Sequence, residues 1–255
     1  MARFVRFLLS GKPMWGRLDG DTIQPLDGPP YAGGKHVGQV VPVAGAPLLA
    51  PVEPSKIICV GLNYALHVKE SQSATTIPDE PVLFMKPPTA VIGPDAGIVY
   101  PPLAARVDYE AELAVVIGRT AKNVSPEHAL THIWGYTCLD DVTARDLQKK
   151  DVQWTRAKGF DTFCPVGPWV ETELDCRNLT VESFLNGEQR QSGTTADMIF
   201  PVPVLVSFVS RVMTLLPGDV ISTGTPEGIG PMQPGDTIEI RVSGIGSLCN
   251  RVVQP

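Results

Sequence analysis

The segment from Asp108 to Gly118 constrains the fold of this chain more than any other. Its second half is apolar, rich in β-branched residues and closed by a glycine, so it predicts a strand rather than a helix. Side chains alternate between the two faces of a strand, so Glu110 and Glu112 should point the same way, about 6.5–7 Å apart. The opposite, packed face then takes Leu113, Val115 and Ile117.

Two carboxylates this close on a strand suited to burial repel each other and lose hydration. Either one of them takes up a proton, or a cation lies between them. The alternative interpretation is an edge strand that faces solvent, on which Glu110 and Glu112 are simply hydrated. The strand pattern by itself leaves both interpretations open.

Size and hydropathy are those of an ordinary globular enzyme. The chain has 255 residues, and 43% of them are hydrophobic; the mean hydropathy is +0.06. This is enough for one sizeable core and excludes bulk disorder. No apolar run approaches the roughly 18–20 residues of a membrane span, so we expect no membrane partner. Because Arg6 interrupts the apolar start of the chain, that start predicts a strand rather than a signal peptide, and a cytoplasmic protein.

Charge and cysteine usage exclude several classes of partner. The net charge is −6 and no Lys/Arg-rich block stands out, so nucleic acid is not an expected partner. The five cysteines are scattered and never form Cys-x-x-Cys, which argues against a disulfide framework and structural zinc. With only four histidines, a metal would be held by oxygen atoms, which favours Mg²⁺, with Mn²⁺ or Ca²⁺ as alternatives.

The chain divides into a short first part and a longer second part. Residues 3–9 and 22–26 predict strands joined through the turn at residues 19–21, and the following residues are dense in Pro and Gly. We therefore expect a small β-rich N-terminal lobe with a linker over residues 1–50, and a catalytic domain over 51–255. Strands outnumber helices and no regular βαβ alternation is present, which predicts an α+β, β-dominated fold.

A third acid is a candidate partner for the two glutamates. Asp141 follows a strand predicted at residues 134–139, and together with Glu110 and Glu112 it would complete a three-carboxylate Mg²⁺ site. The alternative for Asp141 is a helix N-cap. Arg145 and Gln148, i+3 apart on the next helix, could face the same site; the alternative for Arg145 is a surface ion pair. Lys158, considered alone, is a solvated lysine.

A short helix from Tyr64 to about Ser71 brings a histidine and an acid together. His67 and Glu70 are i, i+3 and so share a face, and Asn63 is the expected N-cap. The segment Ser71–Pro78 that follows is a candidate mobile loop. The glycine-rich segment 224–230 contains a proline and opens no amphipathic helix, so it does not predict phosphate binding. The sequence also lacks the motifs of a serine or cysteine nucleophile.

Several of these segments resemble the fumarylacetoacetate hydrolase family. The similarity runs from about residue 55 to the end, with the motifs in the family's order, and the N-terminal lobe is similar only loosely. The matching segments are Gly61–Glu70, Asp108–Leu113, Gly135–Gln148, Lys158–Asp161 and Thr223–Gly228.

The resemblance implies a role for each candidate residue. It implies metal ligation by Glu110, Glu112 and Asp141, and a catalytic His67–Glu70 pair with Lys158. It also implies substrate binding by Arg145, Gln148, Lys158 and Thr225. One departure is Asp140, where the family usually has asparagine; an acid there would add negative charge or make a local cap. The family's mixed β-roll and homodimer are implied as well.

The expected function is that of a Mg²⁺-dependent enzyme acting on 2-oxo acids or their enols. Within the family the segment 186–197 is most similar to enzymes of aromatic catabolism, which isomerise or decarboxylate unsaturated dioic acids such as 2-hydroxyhepta-2,4-diene-1,7-dioate. The alternatives are hydrolysis of acylpyruvates or fumarylpyruvate and decarboxylation of oxaloacetate. A non-catalytic binding protein for 2-oxo acids and a purely structural β protein are the alternatives from other classes.

Overall fold

The computed structural model describes residues 2–70 and 76–255, and within them the chain is dominated by strands. Most of the predicted mobile loop, residues 71–75, lies outside the described residues. The strands are Arg3–Leu9 (β1), Lys12–Asp19 (β2), Thr22–Leu26 (β3), Val41–Pro42 (β4), Leu48–Leu49 (β5), Ile57–Gly61 (β6), Val82–Lys86 (β7), Val91–Ile92 (β8), Gly97–Val99 (β9), Val107–Tyr109 (β10), Ala111–Ile117 (β11), Ile133–Asp140 (β12), Thr143–Ala144 (β13), Cys164–Glu171 (β14), Thr180–Leu185 (β15), Glu188–Thr194 (β16), Val220–Ser222 (β17), Gly230–Met232 (β18), Thr237–Val242 (β19) and Gly246–Val253 (β20).

The helices are few and short. The α-helices of the described part are Ala65–Glu70 (α1), Pro126–Ala129 (α2), Arg145–Lys150 (α3), Thr155–Lys158 (α4) and Val202–Val212 (α5). Single 3₁₀ turns lie at Pro30–Ala32, Pro88–Ala90, Leu130–His132 and Thr195–Asp197. None of the helices in these residues has both the length and the apolar character that a membrane crossing requires. The α+β, β-dominated fold expected from the sequence is confirmed.

One large sheet organises the molecule, and β11 lies near its middle. The strand order is β4-β3-β2-β1-β14-β12-β11-β17-β6-β7, with β5 paired to β1 and β8 to β14. The strand β11 is antiparallel to both neighbours, β12 and β17. All seven of its residues are buried. The sequence predicted one packed face, but Ala114 and Val116 pack into a second apolar cluster on the other face. A central strand covered on both sides accounts for this continuous apolar run.

The N-terminal strands continue the same sheet. Residues 3–9 and 22–26 form strands as predicted, but β2, which lies between them and pairs with both, was missed. The turn at residues 19–21 therefore joins β2 to β3. Arg3 and Phe4 of β1 pair with Glu171 and Val170 of β14, so the first lobe is joined to the rest by main-chain hydrogen bonds. A division near residue 50 stays a prediction.

Two smaller sheets pack around this centre. One has the order β13-β10-β18 and the other the order β16-β15-β19-β20-β9. The predicted strand through Asp108–Gly118 is divided between the first of these sheets and the large sheet, because Glu110 lies between β10 in the one and β11 in the other. The Asp141 N–H donates to the Glu110 carbonyl at 2.9 Å, which closes this junction. The acidic segment therefore lies where two sheets meet.

The connection from β6 to α1 is held by a buried asparagine. Asn63 does not cap the helix as predicted, and α1 begins at Ala65. Its amide group instead donates to the Thr223 carbonyl at 2.7 Å and to the Phe200 carbonyl at 3.1 Å, and its Oδ1 accepts from the Phe200 N–H. The preceding Leu62 has φ +61°, an uncommon backbone conformation for a branched residue. These contacts fix where α1 starts.

Candidate active site

The three predicted acids lie together and are buried. One carboxylate oxygen from each of Glu110, Glu112 and Asp141 lies within 4.8 Å of the other two. Their exposed fractions are 4%, 2% and 1%. The alternative of a hydrated glutamate pair on an edge strand is therefore wrong. Asp141 is not a helix N-cap either, because β13 separates it from α3, whose N-cap position is Ala144.

Buried cations contact this cluster, and two of them, Lys158 and Arg145, pair with Glu110. Lys158 Nζ lies 2.9 Å from Glu110 Oε2 and 2.5 Å from Asp141 Oδ2. Arg145 Nη2 lies 2.6 Å from Glu110 Oε1, and its Nε donates to Asp108 Oδ2 at 3.0 Å. Neither residue is the solvated lysine or the surface ion pair considered as alternatives. A buried charge needs such partners because desolvation is otherwise too costly.

The electrostatics of the two glutamates differ. Burial raises the pKa of Glu110, but the charges of Lys158 and Arg145 outweigh it and bring that pKa below its usual value. For Glu112, burial and then the charges of Asp141 and Glu110 raise the pKa well above its usual value. At Glu112, therefore, the surrounding cations do not offset the negative charges of Asp141 and Glu110. A divalent cation would supply the missing positive charge.

Glu112 is oriented by the chain that follows β17. Its Oε2 accepts hydrogen bonds from the Ser222 hydroxyl and from the Gly224 N–H, the latter at 2.8 Å. Gly224 has φ +96°, a conformation that favours glycine, so the backbone can turn its N–H toward the carboxylate. The glycine-rich segment that does not predict phosphate binding therefore serves to fix one of the three acids.

His67 and Glu70 share one face of α1, as predicted. Their Nδ1 and Oε2 atoms lie 3.6 Å apart, which is longer than a normal hydrogen bond. Only 6% of His67 is exposed. Both oxygens of Glu70 accept from the Gly228 N–H, at 3.0 and 3.3 Å, so this carboxylate is held by the loop after β17. The pair can be drawn together by a small side-chain movement.

The predicted substrate-binding residues Gln148 and Thr225 are buried in the same region. Arg145 Nη1 donates to Gln148 Oε1 at 2.6 Å. The Thr225 hydroxyl donates to the Ala111 carbonyl at 2.9 Å and accepts from Gln191 Nε2 at 2.8 Å. These bonds tie both side chains to β11 or to the arginine that contacts Glu110. Their role toward a substrate stays a prediction.

Asp140, the departure from the family pattern, is fully buried and supports the backbone. Its Oδ1 accepts the Glu110 N–H at 2.8 Å, and its Oδ2 has no hydrogen-bond partner among the described residues. Burial raises its pKa to about 8. At neutral pH this side chain is therefore mainly uncharged, and it adds little negative charge to the site. Through this hydrogen bond it supports the junction between β10 and β11.

Sequence reasoning missed two charged residues that organise the site. Lys86 Nζ lies 2.7 Å from Asp141 Oδ1 and donates to the carbonyls of Val142, Lys158 and Phe163. Its only sequence signal was its place at the end of an apolar strand. Asp108 accepts from Arg145; it has the same alternation as Glu110 and Glu112, so that signal was available.

One cavity collects the candidate residues. Among the nine predicted site residues, all but Glu70 line it, and Glu70 lies behind His67. The cavity has a polar side and an apolar side. The polar side consists of His67, Glu110, Glu112, Asp141, Arg145, Gln148, Lys158 and Thr225, and the apolar side of Val60, Gly61, Leu62, Phe84 and Trp154. The polar side suits an oxygen-rich group and the apolar side suits carbon atoms.

The donor set fits a divalent cation. Three carboxylates converge on one cavity, and they are oxygen ligands of the kind that Mg²⁺, Mn²⁺ and Ca²⁺ prefer. The cluster contains no cysteine or histidine, which argues against a zinc site of the structural type.

Fold and site together define a β-dominated protein with a buried acid cluster at the junction of two sheets. Residues 56–253 match the family described as fumarylacetoacetate (FAA) hydrolase, C-terminal, and residues 2–51 match a family described as Rv2993c-like, N-terminal. The first match covers more than half of the chain. The chain therefore belongs to the fumarylacetoacetate hydrolase family, and the resemblance found in its motifs is confirmed.

Relatives and solved structures agree with this assignment. The protein Rv2993c of Mycobacterium tuberculosis is 48% identical over 228 residues, which cover 88% of this chain and 85% of that protein. The bovine mitochondrial oxaloacetate tautomerase FAHD2A is 40% identical over 227 residues, 84% of this chain and 72% of that protein.

Two crystal structures show the same fold. The 2-hydroxyhepta-2,4-diene-1,7-dioate isomerase of Mycobacterium marinum superposes with a TM-score of 0.92 at 43% identity and covers 100% of this chain and 99% of its own. The maleylpyruvate hydrolase of Sphingobium sp. SYK-6, solved with manganese(II) and pyruvate, has a TM-score of 0.81 at 32% identity and covers 99% of both chains.

Proposed function

We propose that this protein is a Mg²⁺-dependent enzyme that acts on 2-oxo acids or their enol forms. The observation that carries the proposal is the buried cluster of Glu110, Glu112 and Asp141, with carboxylate oxygens within 4.8 Å of one another, in a cavity also lined by His67. Three acids would hold the ion, and the cavity would receive the substrate. The manganese(II) and pyruvate bound by the maleylpyruvate hydrolase support both halves of this assignment.

The chain's own cations would hold the substrate's oxygens. A divalent ion at the acid cluster supplies Lewis-acid stabilisation of the negative charge that develops on an enolate oxygen. Lys158 and Arg145, whose charged ends lie within 3 Å of Glu110, would add positive potential on the same side of the cavity. Their burial keeps that potential from being screened by water.

His67 would move the proton. It lies in the cavity wall, and Glu70 behind it would orient the ring and stabilise its protonated form. Depending on the reaction, the imidazole would activate water or protonate the enolate carbon. Contact between Glu70 and the Gly228 N–H keeps this carboxylate in place while the ring changes its charge.

The first candidate reaction is isomerisation or decarboxylation of an unsaturated dioic acid in aromatic catabolism. The compound 2-hydroxyhepta-2,4-diene-1,7-dioate contains the required enol next to a carboxylate. Support comes from the close structural similarity to the isomerase of Mycobacterium marinum. In this proposal the first carboxylate and the enol oxygen lie on the polar side of the cavity.

A second group of reactions has support from other relatives. Similarity to the bovine oxaloacetate tautomerase supports oxaloacetate as a substrate of this protein, for tautomerisation or decarboxylation. Similarity to the maleylpyruvate hydrolase supports hydrolysis of a C–C bond in acylpyruvates or fumarylpyruvate. All of these substrates share a 2-oxo acid head, so the same polar side would bind each of them.

A substrate panel tests the proposal directly. Turnover of the heptadienedioate, oxaloacetate and an acylpyruvate is measured with Mg²⁺ and again with EDTA. We expect one of them to be converted with Mg²⁺ only, and conversion to return when excess Mg²⁺ is restored. Equal turnover in EDTA would refute the metal requirement. Oxalate or pyruvate binding without any turnover would favour the alternative of a non-catalytic binding protein.

A further inference from the structure

The apolar side of the cavity contains a pair of aromatic rings. Phe84 of β7 and Trp154, which precedes α4, are half-buried and line the cavity. Their ring centroids are 5.3 Å apart and the ring planes meet at 72°, an edge-to-face arrangement. Such pairs are attractive beyond their burial, so each ring holds the other in position.

The position of Trp154 depends on a glycine at the end of β6. A Cβ atom on Gly61 would lie 2.9 Å from Trp154 Cζ3 and 3.3 Å from its Cη2, closer than carbon atoms normally approach. The indole ring therefore occupies the space that a side chain at position 61 would take. The ring extends over the strand end and into the cavity wall because no side chain is there.

The aromatic pair is also joined to the catalytic lysine. The Lys158 N–H donates to the Trp154 carbonyl at 2.9 Å, so one short segment carries both residues. Lys158 Nζ lies 5.0 Å from the centroid of the Phe84 ring, within reach of a cation–π contact. The polar and apolar sides of the cavity thus have a fixed spacing, set by β7 and by the segment from Trp154 to Lys158.

We infer that Phe84 and Trp154 select the substrate by the carbon chain that follows its 2-oxo acid head, and that they favour a flat, conjugated chain over a saturated one. This inference rests on the proposed function, which places the head against the acids, Lys158 and Arg145. The chain beyond the head then has to run along the aromatic side. None of the described residues that line the aromatic side is charged, so that side recognises shape and π-character rather than charge.

The physical basis is the shape of the chain. A conjugated chain is planar and rigid, so it presents a π-face to the ring edges and loses little conformational entropy on binding. A saturated chain is thicker and has free torsions that binding must fix. The expected preference from one or two aromatic contacts is about three- to tenfold in Kd.

A matched pair of ligands measures this preference. The first is 2-oxo-4-phenylbut-3-enoate, which has a conjugated chain, and the second is 2-oxo-4-phenylbutanoate, which differs only in the saturated bond. Oxalate, which has the head and no chain, is the third ligand. Each is titrated calorimetrically into the Mg²⁺-loaded protein, and the ratio of the two Kd values is the quantity compared between variants.

Three variants separate the loss of the Phe84–Trp154 contact from general damage to the fold. We expect Trp154→Ala to bring the Kd ratio close to one while the Kd for oxalate stays within twofold of the wild type. Trp154→Phe should keep most of the preference because a ring remains. Gly61→Ala should reduce it, because the new methyl group displaces the indole. The control Val152→Ala changes a nearby residue that is 94% exposed and should leave all three Kd values unchanged.

The oxalate measurement separates failure of the proposed function from failure of the aromatic preference alone. If wild-type protein with Mg²⁺ binds none of the three ligands, the proposed function fails and this inference fails with it. If oxalate binds but the wild type does not prefer the conjugated ligand, the inference alone is overturned. It is overturned equally if Trp154→Ala weakens both chain-bearing ligands by the same factor, because that result would show a bulk contact without selectivity.

Discussion

At the scale of single residues, different side chains are proposed to bind the ion and to transfer the proton. Glu112 is held by Ser222 and Gly224 and Glu110 by Arg145 and Lys158, so the two acids take their partners from different parts of the chain. An acid that is held in this way is pre-positioned to bind an ion, whereas His67 contacts Glu70 and no member of the cluster by hydrogen bond or ion pair among the described contacts. Ion binding and proton transfer should therefore be separable by mutation.

The first prediction contrasts Glu112→Ala with His67→Ala. Loss of one of three acids should weaken Mn²⁺ or Mg²⁺ binding by more than about 100-fold, since changes even outside the ligand set cost 10–100-fold. His67→Ala should keep ion affinity within a few-fold and lose turnover. Calorimetric titration of the ion and the substrate panel are the measurements. Full activity of His67→Ala would contradict the role given to the His67–Glu70 pair.

Asp140 provides the second prediction, a pH dependence of stability in the metal-free protein. Its pKa is about 8 in the folded state and 3.8 is the ordinary value. Between these pH values the folded state holds a proton that the unfolded state has lost, so stability falls as pH rises from 4 to 8. Asn at this position has no proton to lose.

We therefore expect Asp140→Asn to match the wild type near pH 4 and to exceed it increasingly up to pH 8. At pH 8 the gain in the free energy of unfolding should be at least about 2 kcal/mol, which allows for relaxation of the buried group. Urea unfolding of both proteins at several pH values, with chelator present, gives the difference. A difference that does not change with pH would show that this carboxyl is charged in the folded state.

At the scale of elements, the strands were easier to predict than the site they build. β1, β3 and β12 follow from alternation and β-branched residues, and their bounds agree within about one residue. The strand β2 was missed because Lys12–Asp19 mixes Pro, Trp, Gly and charges, and it is a strand only because β1 and β3 pair with it on both sides. Tertiary pairing overrides local propensity there.

The break between β10 and β11 at Glu110 and the pairing of Phe84 with Trp154 could not be predicted for a related reason. Glu110 leaves the ladder because β10 and β11 join different sheets, and the partners that set this include β18 and β17, more than a hundred residues away. Phe84 and Trp154 meet across 70 positions of sequence. The acid set was predictable because two of its members alternate on one segment and the family motifs supplied the third.

The third prediction concerns the element that carries His67. Asn63 makes three hydrogen bonds that join the start of α1 to Phe200 and Thr223. Asn63→Ala leaves buried backbone groups unsatisfied and should lower the free energy of unfolding by about 1–3 kcal/mol. It should also lower turnover more than ion affinity, because α1 is released while the acids stay in place.

Urea unfolding, ion titration and the substrate panel measure these effects. Asn178→Ala is the control, since that asparagine is exposed and accepts one hydrogen bond from Thr194. We expect its effect to be within about 0.5 kcal/mol. If Asn63→Ala lowered ion affinity as strongly as turnover, the asparagine would be supporting the whole cavity rather than α1.

At the scale of the molecule, the large sheet joins the first lobe to the region that carries the site. The strand β1 pairs with β14, β14 with β12, and β12 with β11, so the lobe is three strand pairings from the acids. Arg3 also pairs with Glu171 at 3.2 Å. The homodimer implied by the family resemblance stays a prediction, and a solution mass of twice 27.4 kDa would support it.

The fourth prediction is that residues 51–255 do not behave as a well-folded protein when expressed alone. Removal of β1 leaves N–H and C=O groups of β14 unpaired, and also exposes Trp169, which packs against the apolar cluster of the lobe. Unpaired sheet edges promote association between chains. We expect aggregation or a lower Tm in comparison with the full chain, measured by light scattering and thermal unfolding. A monodisperse fragment with the full chain's Tm would show that the lobe is an independent unit.

The burial of β11 on both faces affects how the protein unfolds on heating. Amide hydrogens in such a strand exchange with solvent only when the surrounding sheet opens, so the strand belongs to the most stable part of the molecule. Glu112 is part of that strand and Glu110 directly precedes it. The two glutamates are therefore not expected to lose their positions by local unfolding. On heating, the affinity for the ion should persist until the whole protein unfolds, and it should be lost in that same transition.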